Sequence, residues 1–459
     1  MDARSPRYED GPTPCAPRRS VIRSIQKQIR SAQALSRADV RLATAMRLVA
    51  ADSRRPLGFN DSVFYPVDEP VAERARVGPF QRIAKAPRKA RALHALALLV
   101  DFSDNRGKRP AAEFEKLLFD PKNVRSMTSY YRKLSYGALD VTGEVVGYVR
   151  APRPYGFYTN GESGTGEDYP NNTPGLLHDA LTEFCKSDDL RRFDVDGDGY
   201  VDGIFLIHAG GGAEAEPDPS RRPHQIWSHK WVLPKPFSNA GVRVYAYSTE
   251  PEDGRVGVFA HEFGHVLGLP DLYDTSYRTR GIGDWCLMAG GSWGGAGNRP
   301  VRMSAWCLAQ LGWIKPKVVR AARSLALSTL EVRKTDCYRL WTKGRGGPEY
   351  FLLEHRRKQG LDAALPGSGL AVWHIDETQS ENTNPLSYRV GLVQADGLRD
   401  LERNRNDGDA GDLFPGSKRV KSLDRQTTPS SRAHDGSPTG VALSAIALQG
   451  DEIRLKVRV

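Results

Sequence analysis

The 459-residue sequence contains only five cysteines and no long apolar run. The cysteines are Cys15, Cys185, Cys286, Cys307 and Cys337. This small, odd and widely spaced set contains no C-x-x-C pair, which excludes a disulfide-stapled scaffold. The most apolar stretch, residues 96–100, is the length of a strand and far shorter than the roughly 18 residues that cross a bilayer. We therefore predict that the chain has no transmembrane segment.

Dense basic runs are also scarce, although the net charge is +11. Residues 1–92 hold 19 Lys and Arg against 9 Asp and Glu, so nearly all of the excess charge lies there. These basic residues are scattered and have no interleaved aromatic residues, and we expect no nucleic-acid partner. The N-terminus also lacks the apolar stretch of a secretory signal, which leaves the route of export open.

The pattern of segments divides the chain into three regions and predicts an α+β fold. Residues 1–92 form a basic N-terminal segment with a predicted helix over residues 20–51 and an irregular linker, and this segment is a candidate pro-region. Residues 93–315 mix strand-like and helix-like segments, including a predicted hairpin or pair of short strands over residues 135–152. Residues 316–459 consist mainly of strand-length segments separated by turn residues, which predicts a β-rich C-terminal region.

The most informative motif is H-E-x-x-H, formed by His261, Glu262 and His265. Helix positions i and i+4 lie on one face, so both imidazoles can reach one zinc ion. Glu262 lies beside the first histidine and can act on a water molecule without ligating the metal. Gly268 follows at a spacing that favours a left-handed turn, after which Asp271 can return as a third ligand.

A second motif predicts a calcium site upstream of the helix. The spacing of its residues matches positions 1, 3, 5, 7 and 9 of a calcium loop, with a glycine at position 6. These residues are Asp194, Asp196, Asp198, Tyr200 and Asp202. Carboxylate and carbonyl oxygens suit Ca²⁺ better than zinc, although the twelfth position is not a glutamate. An Asp-rich surface turn without a cation is the alternative.

Four motifs in consistent order resemble the M6 family of immune inhibitor A-type peptidases, which belongs to the metzincin clan. They are the extended H-E-x-x-H-x-x-G-x-x-D motif, DWCLMAGGSW, the Asp-rich loop and NDGDAGDLFPG. The resemblance covers about residues 93–420. It implies a metzincin-like zinc peptidase domain with a twisted mixed sheet, an active-site helix and a Met-turn.

The resemblance also implies roles for individual residues. His261, His265 and Asp271 would ligate zinc, with Glu262 as the general base and Met288 as the Met-turn beneath the metal. Most metzincins carry histidine as the third ligand, so Asp271 is a departure, and Asp274 is a rival. No tyrosine directly follows Met288, which leaves the oxyanion donor unassigned, with Tyr277 and His229 as candidates.

The expected function is that of a secreted, extracellular zinc endopeptidase acting on proteins or peptides. A zinc-bound water would attack the scissile carbonyl while Glu262 takes its proton. The alternatives are a surface binding or adhesion protein with a structural or inactive zinc site, and a hydrolase of non-peptide amides. Cys15 is a candidate zinc ligand in a latent form, or else an incidental cysteine. A loop with Asp407, Asp409 and Asp412 is a candidate for a second cation.

Overall fold

The computed structural model describes residues 13–34 and 91–459, with side chains described for residues 14–28 and 92–459. The chain divides into two compact units, Met1–Leu269 and Pro270–Val459. The predicted boundaries at residues 92 and 315 stay predictions. The part of the predicted N-terminal helix beyond residue 34, and the linker after it, lie outside the described residues.

The described helices are short, apart from the first. They are α1 (Arg19–Ala34), α2 (Ala111–Leu118), α3 (Met127–Leu134), α4 (Tyr155–Thr159), α5 (Thr173–Phe184), α6 (Val256–Val266) and α7 (Ala305–Gln310). Within the described part of the chain, no helix combines the length and the apolar character that a membrane span needs.

The strands form three sheets among the described residues. Those of the first unit are β1 (Thr13–Pro14), β2 (Arg91–Asp101), β3 (Leu139–Arg150), β4 (Ile204–His208), β5 (His229–Asn239) and β6 (Val242–Pro251). Those of the second unit are β7 (Lys317–Val318), β8 (Arg323–Leu327), β9 (Tyr338–Leu340), β10 (Glu349–Arg356), β11 (Gly369–Asp376), β12 (Val390–Leu392), β13 (Ala442–Gln449) and β14 (Glu452–Arg458). This mixture of helices and several sheets agrees with the predicted α+β class.

The first unit contains a mixed sheet with the strand order β1-β5-β6-β4-β2-β3. Its centre is parallel, since β2 pairs in parallel with both β3 and β4, and β4 pairs in parallel with β6. The other two pairings, β5 with β6 and β1 with β5, are antiparallel. Residues 95–100 of β2 are buried on both faces. Such burial explains the nearly continuous apolar run of this strand.

The hairpin or pair of short strands predicted over residues 135–152 is wrong, because residues 139–150 form the single strand β3. Gly143 lies within β3, opposite Ala95 of β2. A Cβ atom at this glycine would lie 2.3 Å from the Phe119 ring. The glycine therefore admits a neighbouring aromatic ring to the strand and does not mark a turn.

The second unit is rich in β-structure, as predicted, with a five-stranded sheet β12-β11-β10-β9-β7 and a three-stranded sheet β13-β14-β8. In β14, Ile453, Leu455 and Val457 are buried while the residues between them are exposed. The strict alternation of apolar and basic residues in this segment is that of a strand with one face in water. β13 was not predicted, and its pairing with β14 is interrupted by an irregularity between Ser444 and Ala447.

Candidate active site

Helix α6 carries the H-E-x-x-H motif, and all of its residues are buried. The helix ends at Leu267, and the next residue, Gly268, has φ +94°. The N–H groups of Gly268 and Leu269 donate to the carbonyl oxygens of His265 and Gly264, at 2.9 and 3.1 Å. The predicted left-handed turn at Gly268 is therefore confirmed. It satisfies carbonyl groups that the helix end would otherwise leave unpaired.

Aromatic contacts hold α6 in place within the first unit. The hydroxyl group of Tyr131, on α3, donates to the carbonyl oxygen of Ala260 at 2.5 Å. The Tyr131 ring meets the edge of Phe263 at a centroid distance of 5.1 Å. Phe263 in turn stacks against Phe205 of β4 at 5.8 Å. Helix α6 therefore packs between α3 and the centre of the mixed sheet. This packing sets the direction in which its histidines point.

His261 and His265 have the geometry of two ligands of one metal ion. Their Nε2 atoms lie 3.1 Å apart, and both side chains are buried. Two nitrogen ligands of a tetrahedral zinc ion lie roughly 3.3 Å apart, given Zn–N bonds of about 2.0–2.1 Å. His265 Nδ1 lies 2.8 Å from the carbonyl oxygen of Leu269. This hydrogen bond orients the ring, as a backbone carbonyl commonly does behind a metal-binding histidine. The pair fits zinc.

Glu262, Asp271 and Met288 are buried, each within its own unit. Glu262 lies on α6, next to His261. Met288 lies between two 3₁₀ turns, Gly283–Trp285 and Gly290–Trp293. Its carbonyl oxygen accepts a hydrogen bond from the N–H of Leu272, the residue after Asp271, at 2.7 Å. The roles of Asp271 as a zinc ligand, of Glu262 as the base and of Met288 as a Met-turn stay predictions.

The carboxylate of Asp274, the rival third ligand, already accepts hydrogen bonds at both oxygens. Oδ1 accepts from the backbone and hydroxyl groups of Ser276, and Oδ2 accepts from the same two groups of Thr279. These bonds close a tight turn. They give Asp274 a structural role without a metal ion.

The two candidate oxyanion donors have different environments. His229 is fully buried, with Nε2 3.0 Å from the Tyr247 hydroxyl group and Nδ1 2.6 Å from the Trp227 carbonyl oxygen. Burial lowers the pKa of His229 to about 3, so this ring is a neutral core histidine. Tyr277 is buried in the second unit and stacks on Tyr273 at a centroid distance of 6.2 Å. The assignment of an oxyanion donor stays open.

The Asp-rich loop has the backbone of a cation-binding turn. Asp194, Asp196 and Asp202 form one group whose carboxylate oxygens lie within 4.8 Å of one another. Asp194 Oδ2 accepts from the N–H of Gly199, a residue with φ +87°. Asp194 Oδ1 is buried with no hydrogen-bond partner. A buried carboxylate oxygen without a donor fits a cation, since an unpaired buried charge is costly.

The other two predicted ligands of this loop are not part of that group. Asp198 Oδ1 accepts a hydrogen bond from the N–H of Tyr200 at 2.9 Å. Tyr200 is buried, and the Arg243 guanidinium lies over its ring at 4.0 Å. Asp198 thus shapes the turn. A ligand role for Asp198 and for the Tyr200 carbonyl oxygen stays a prediction.

The proposed second cation loop uses its carboxylates in other ways. Asp407 pairs with Arg280 at 3.2 Å. Asp412 accepts hydrogen bonds from Trp285 Nε1 and from the N–H of Asp409, both at 3.0 Å. Burial raises the pKa of Asp412 to about 7. Asp407 and Asp412 thus have partners within the folded protein, and these contacts stabilise the loop.

Cys15 lies beside the candidate metal centre. Its Sγ atom belongs to one group with a ring nitrogen of His261 and a carboxylate oxygen of Glu262, all within 4.8 Å of one another. The residue is fully buried and forms no disulfide. The preceding strand β1 pairs with β5, with Pro14 opposite His229. The N–H of Cys15 donates to the Ser228 carbonyl oxygen at 2.7 Å. This arrangement brings Cys15, from the N-terminal segment, next to two residues of the H-E-x-x-H motif.

Comparisons with known proteins agree with the site. Residues 111–314 match the family described as Immune inhibitor A peptidase M6, catalytic domain. Immune inhibitor A of Bacillus thuringiensis subsp. alesti is 34% identical over 262 residues, which are 46% of this chain and 38% of that protein. Pre-pro-metalloprotease PrtV of Vibrio cholerae serotype O1 is 30% identical over 393 residues, which are 70% of this chain and 42% of that protein. The chain thus spans about two fifths of the length of these curated relatives.

Proposed function

Because this chain carries a catalytic domain of the M6 family of metallopeptidases, we propose that it is a zinc-dependent endopeptidase that hydrolyses peptide bonds in proteins. The observation that carries the proposal is the pair of buried imidazoles on α6, whose Nε2 atoms lie 3.1 Å apart beside Glu262. Two fixed histidines and an adjacent carboxylate suit the hydrolysis of an unactivated amide.

His261, His265 and Asp271 hold the metal in this proposal. The turn at Gly268, three residues after His265, directs the chain away from the helix axis. Asp274 is the weaker choice, because its oxygens already bind Ser276 and Thr279. When bound, zinc supplies a Lewis acid that polarises a carbonyl group and lowers the pKa of water. Met288 supports the floor of the site through the hydrogen bond between its carbonyl oxygen and Leu272.

Glu262 is the group that moves the proton. Its carboxylate takes a proton from the attacking water and delivers it to the nitrogen of the leaving amine. Burial on α6 keeps this carboxylate out of bulk water and next to His261.

The Asp-rich loop binds a structural Ca²⁺ ion in this proposal. The buried, unpartnered Oδ1 of Asp194 and its proximity to Asp196 and Asp202 support this assignment. Asp202 Oδ2 also accepts from the N–H of His94 on β2, at 2.7 Å. A cation bound by Asp202 would therefore link the loop to β2 of the mixed sheet, against which α6 packs.

The N-terminal segment keeps the enzyme latent in this proposal, with Cys15 as a ligand that competes with water at the metal. Support comes from the burial of Cys15 and from its place beside His261 and Glu262. The names of the Vibrio relatives include the words "pre-pro", which describe a protein that matures by removal of segments. We propose on the same ground that the protein is secreted and acts outside the cell.

The test is the variant Glu262→Gln, assayed on an unstructured protein such as casein beside the parent chain. We expect the rate of cleavage to fall by two to four orders of magnitude, the range that loss of a general base produces. Zinc content should stay the same, because Glu262 is not a ligand. Unchanged cleavage would overturn the mechanism. A parent chain that binds zinc but cleaves nothing after removal of residues 1–92 would favour a binding or adhesion protein.

A further inference from the structure

A second cluster of metal-ligating side chains lies within the second unit, on the sheet that contains β10 and β11. Glu349 begins β10, His374 lies near the end of β11, and His434 belongs to the loop before β13. One ligand atom from each of the three lies within 4.8 Å of the others. The cluster joins three segments that are distant in sequence.

Direct contacts connect the three residues. His374 Nε2 lies 2.8 Å from Glu349 Oε1. The same oxygen accepts a hydrogen bond from the backbone N–H of His434 at 2.7 Å. The two imidazole rings stack with a centroid distance of 4.0 Å and an angle of 9°. Phe351 packs against the other side of His374, at 4.4 Å.

A neutral imidazole is the form that ligates a metal ion. Burial and the neighbouring His374 both lower the pKa of His434.

We propose that Glu349, His374 and His434 bind one divalent transition-metal ion, Zn²⁺ or an ion of similar preference. The metal takes the place of the proton shared by His374 Nε2 and Glu349 Oε1, and that proton leaves to solvent. Two imidazoles and one carboxylate form a three-ligand set, and water can fill the fourth position. The 2.8 Å separation between His374 Nε2 and Glu349 Oε1 opens to the roughly 3.3 Å between ligands of tetrahedral zinc. One of the two stacked imidazoles also turns out of the stack, so that both lone pairs meet at the ion.

The site would fasten a long loop to the sheet. His434 and Glu349 are 85 residues apart in sequence and are linked here through a backbone hydrogen bond. The metal ion would bind the folded chain and not the unfolded chain, in which the three ligands are far apart. Metal binding would therefore raise the free energy of unfolding. This structural role does not depend on the proposed peptidase activity.

The test counts zinc in the full-length chain with both catalytic histidines removed, His261→Ala with His265→Ala. We expect this background to retain about one zinc per chain after dialysis, and the further changes His374→Ala and His434→Ala to abolish it. Added Zn²⁺ should also raise the melting temperature of the background, and this rise should vanish in the quadruple variant. Co²⁺ serves as a visible probe, whose absorption should report nitrogen and oxygen ligands without a thiolate.

The matched control is His94→Ala. His94 also pairs with a glutamate, Glu144, at 3.3 Å. Among the described residues, this pair belongs to none of the groups that could hold a metal ion. This change should leave the zinc count unaltered. A background that retains no zinc and shows no thermal shift would overturn the proposal. So would equal zinc content with and without His374 and His434. If the chain folds poorly without His261 and His265, the zinc content of the parent is compared with that of His374→Ala with His434→Ala. The zinc content should then fall from two ions per chain to one.

Discussion

The hydrogen bond between His265 and Leu269 decides the protonation of the histidine pair. A backbone carbonyl oxygen can only accept, so Nδ1 of His265 must carry the proton. The lone pair of Nε2 then faces His261 Nε2 at 3.1 Å. Two ring nitrogens this close either share one proton or ligate one ion. The single backbone contact therefore prepares His265 for a metal before any ion arrives.

The contrast between Asp271 and Asp274 gives a prediction at the same scale. Asp271→Ala should remove one of the three proposed zinc ligands and weaken zinc binding by at least tenfold. Asp274→Ala should leave zinc binding intact but destabilise the fold, because four hydrogen bonds to Ser276 and Thr279 are lost. At about 1 kcal/mol each, these bonds amount to a few kcal/mol. Zinc titration and thermal unfolding of both variants separate the two outcomes.

The reverse pattern would contradict the ligand assignment. If Asp274→Ala lost zinc while Asp271→Ala kept it, Asp274 would be the third ligand. Zinc bound equally well by both variants would leave His261 and His265 as the only protein ligands, with water completing the shell.

Among elements, the sequence predicted best those whose signal is local. The spacing of His261 and His265 predicted a helix, and Gly268 predicted its end, because both depend on short-range geometry. The calcium site predicted from the Asp-rich loop depends on the same kind of local spacing and stays a prediction. The predicted hairpin or pair of short strands was wrong, since only the fold reveals that Phe119 occupies the space above Gly143. A glycine that ends a strand and a glycine that admits a ring look alike in sequence.

Contacts between distant segments could not be predicted. Nothing in the sequence links Glu349, His374 and His434, because strand pairing and a long loop bring them together. Cys15 was singled out only for its chemistry. Its place beside His261 depends on the pairing of β1 with β5, two strands separated by more than 200 residues. Such pairings depend on the whole fold rather than on local propensity.

The Asp-rich loop gives a prediction at the element scale. Addition of Ca²⁺ at constant zinc should raise the melting temperature by several degrees, because ion binding to the folded state alone stabilises it. Asp196→Asn should reduce this gain strongly. Asp196 is exposed, so its loss should change stability little in the absence of calcium. Differential scanning calorimetry with and without Ca²⁺ measures both effects.

Asp168→Asn is the matched control, since Asp168 is an exposed aspartate outside the loop. This variant should respond to Ca²⁺ as the parent does. A parent chain whose melting temperature does not change with Ca²⁺ would make the loop a simple turn. A full response in Asp196→Asn would exclude Asp196 as a ligand.

At the scale of the whole molecule, the charge distribution separates the N-terminal segment from the rest. Residues 1–92 hold 19 of the 66 Lys and Arg but only 9 of the 55 Asp and Glu, which leaves 47 and 46 in the remainder. Removal of this segment would thus convert a basic protein into a nearly neutral one. Ion-exchange chromatography can therefore follow its loss directly.

The same segment also closes one edge of the sheet in the first unit. Strand β1 pairs with β5, and Trp227 Nε1 donates to the carbonyl oxygen of Cys15 at 3.0 Å. Val21 and Ile25 of α1 are buried, and Arg222 donates to the Ser24 hydroxyl group at 3.0 Å. A peptide substrate that bound along this edge as an added strand would compete with β1. Release of the segment would free this edge and would also remove Cys15 from its place beside His261 and Glu262.

The last prediction concerns latency and uses the uncut, zinc-loaded chain. Cys15→Ser should raise its peptidase activity at least tenfold, because a hydroxyl group is a much weaker zinc ligand than a thiolate. In the Co²⁺-substituted chain, the parent should show a thiolate-to-cobalt absorption band that Cys15→Ser lacks. Cys185→Ser is the control, since Cys185 belongs to none of the metal-ligating groups of the described residues. An uncut Cys15→Ser chain with unchanged activity and an unchanged cobalt spectrum would exclude Cys15 as a ligand and leave strand pairing alone to restrain the enzyme.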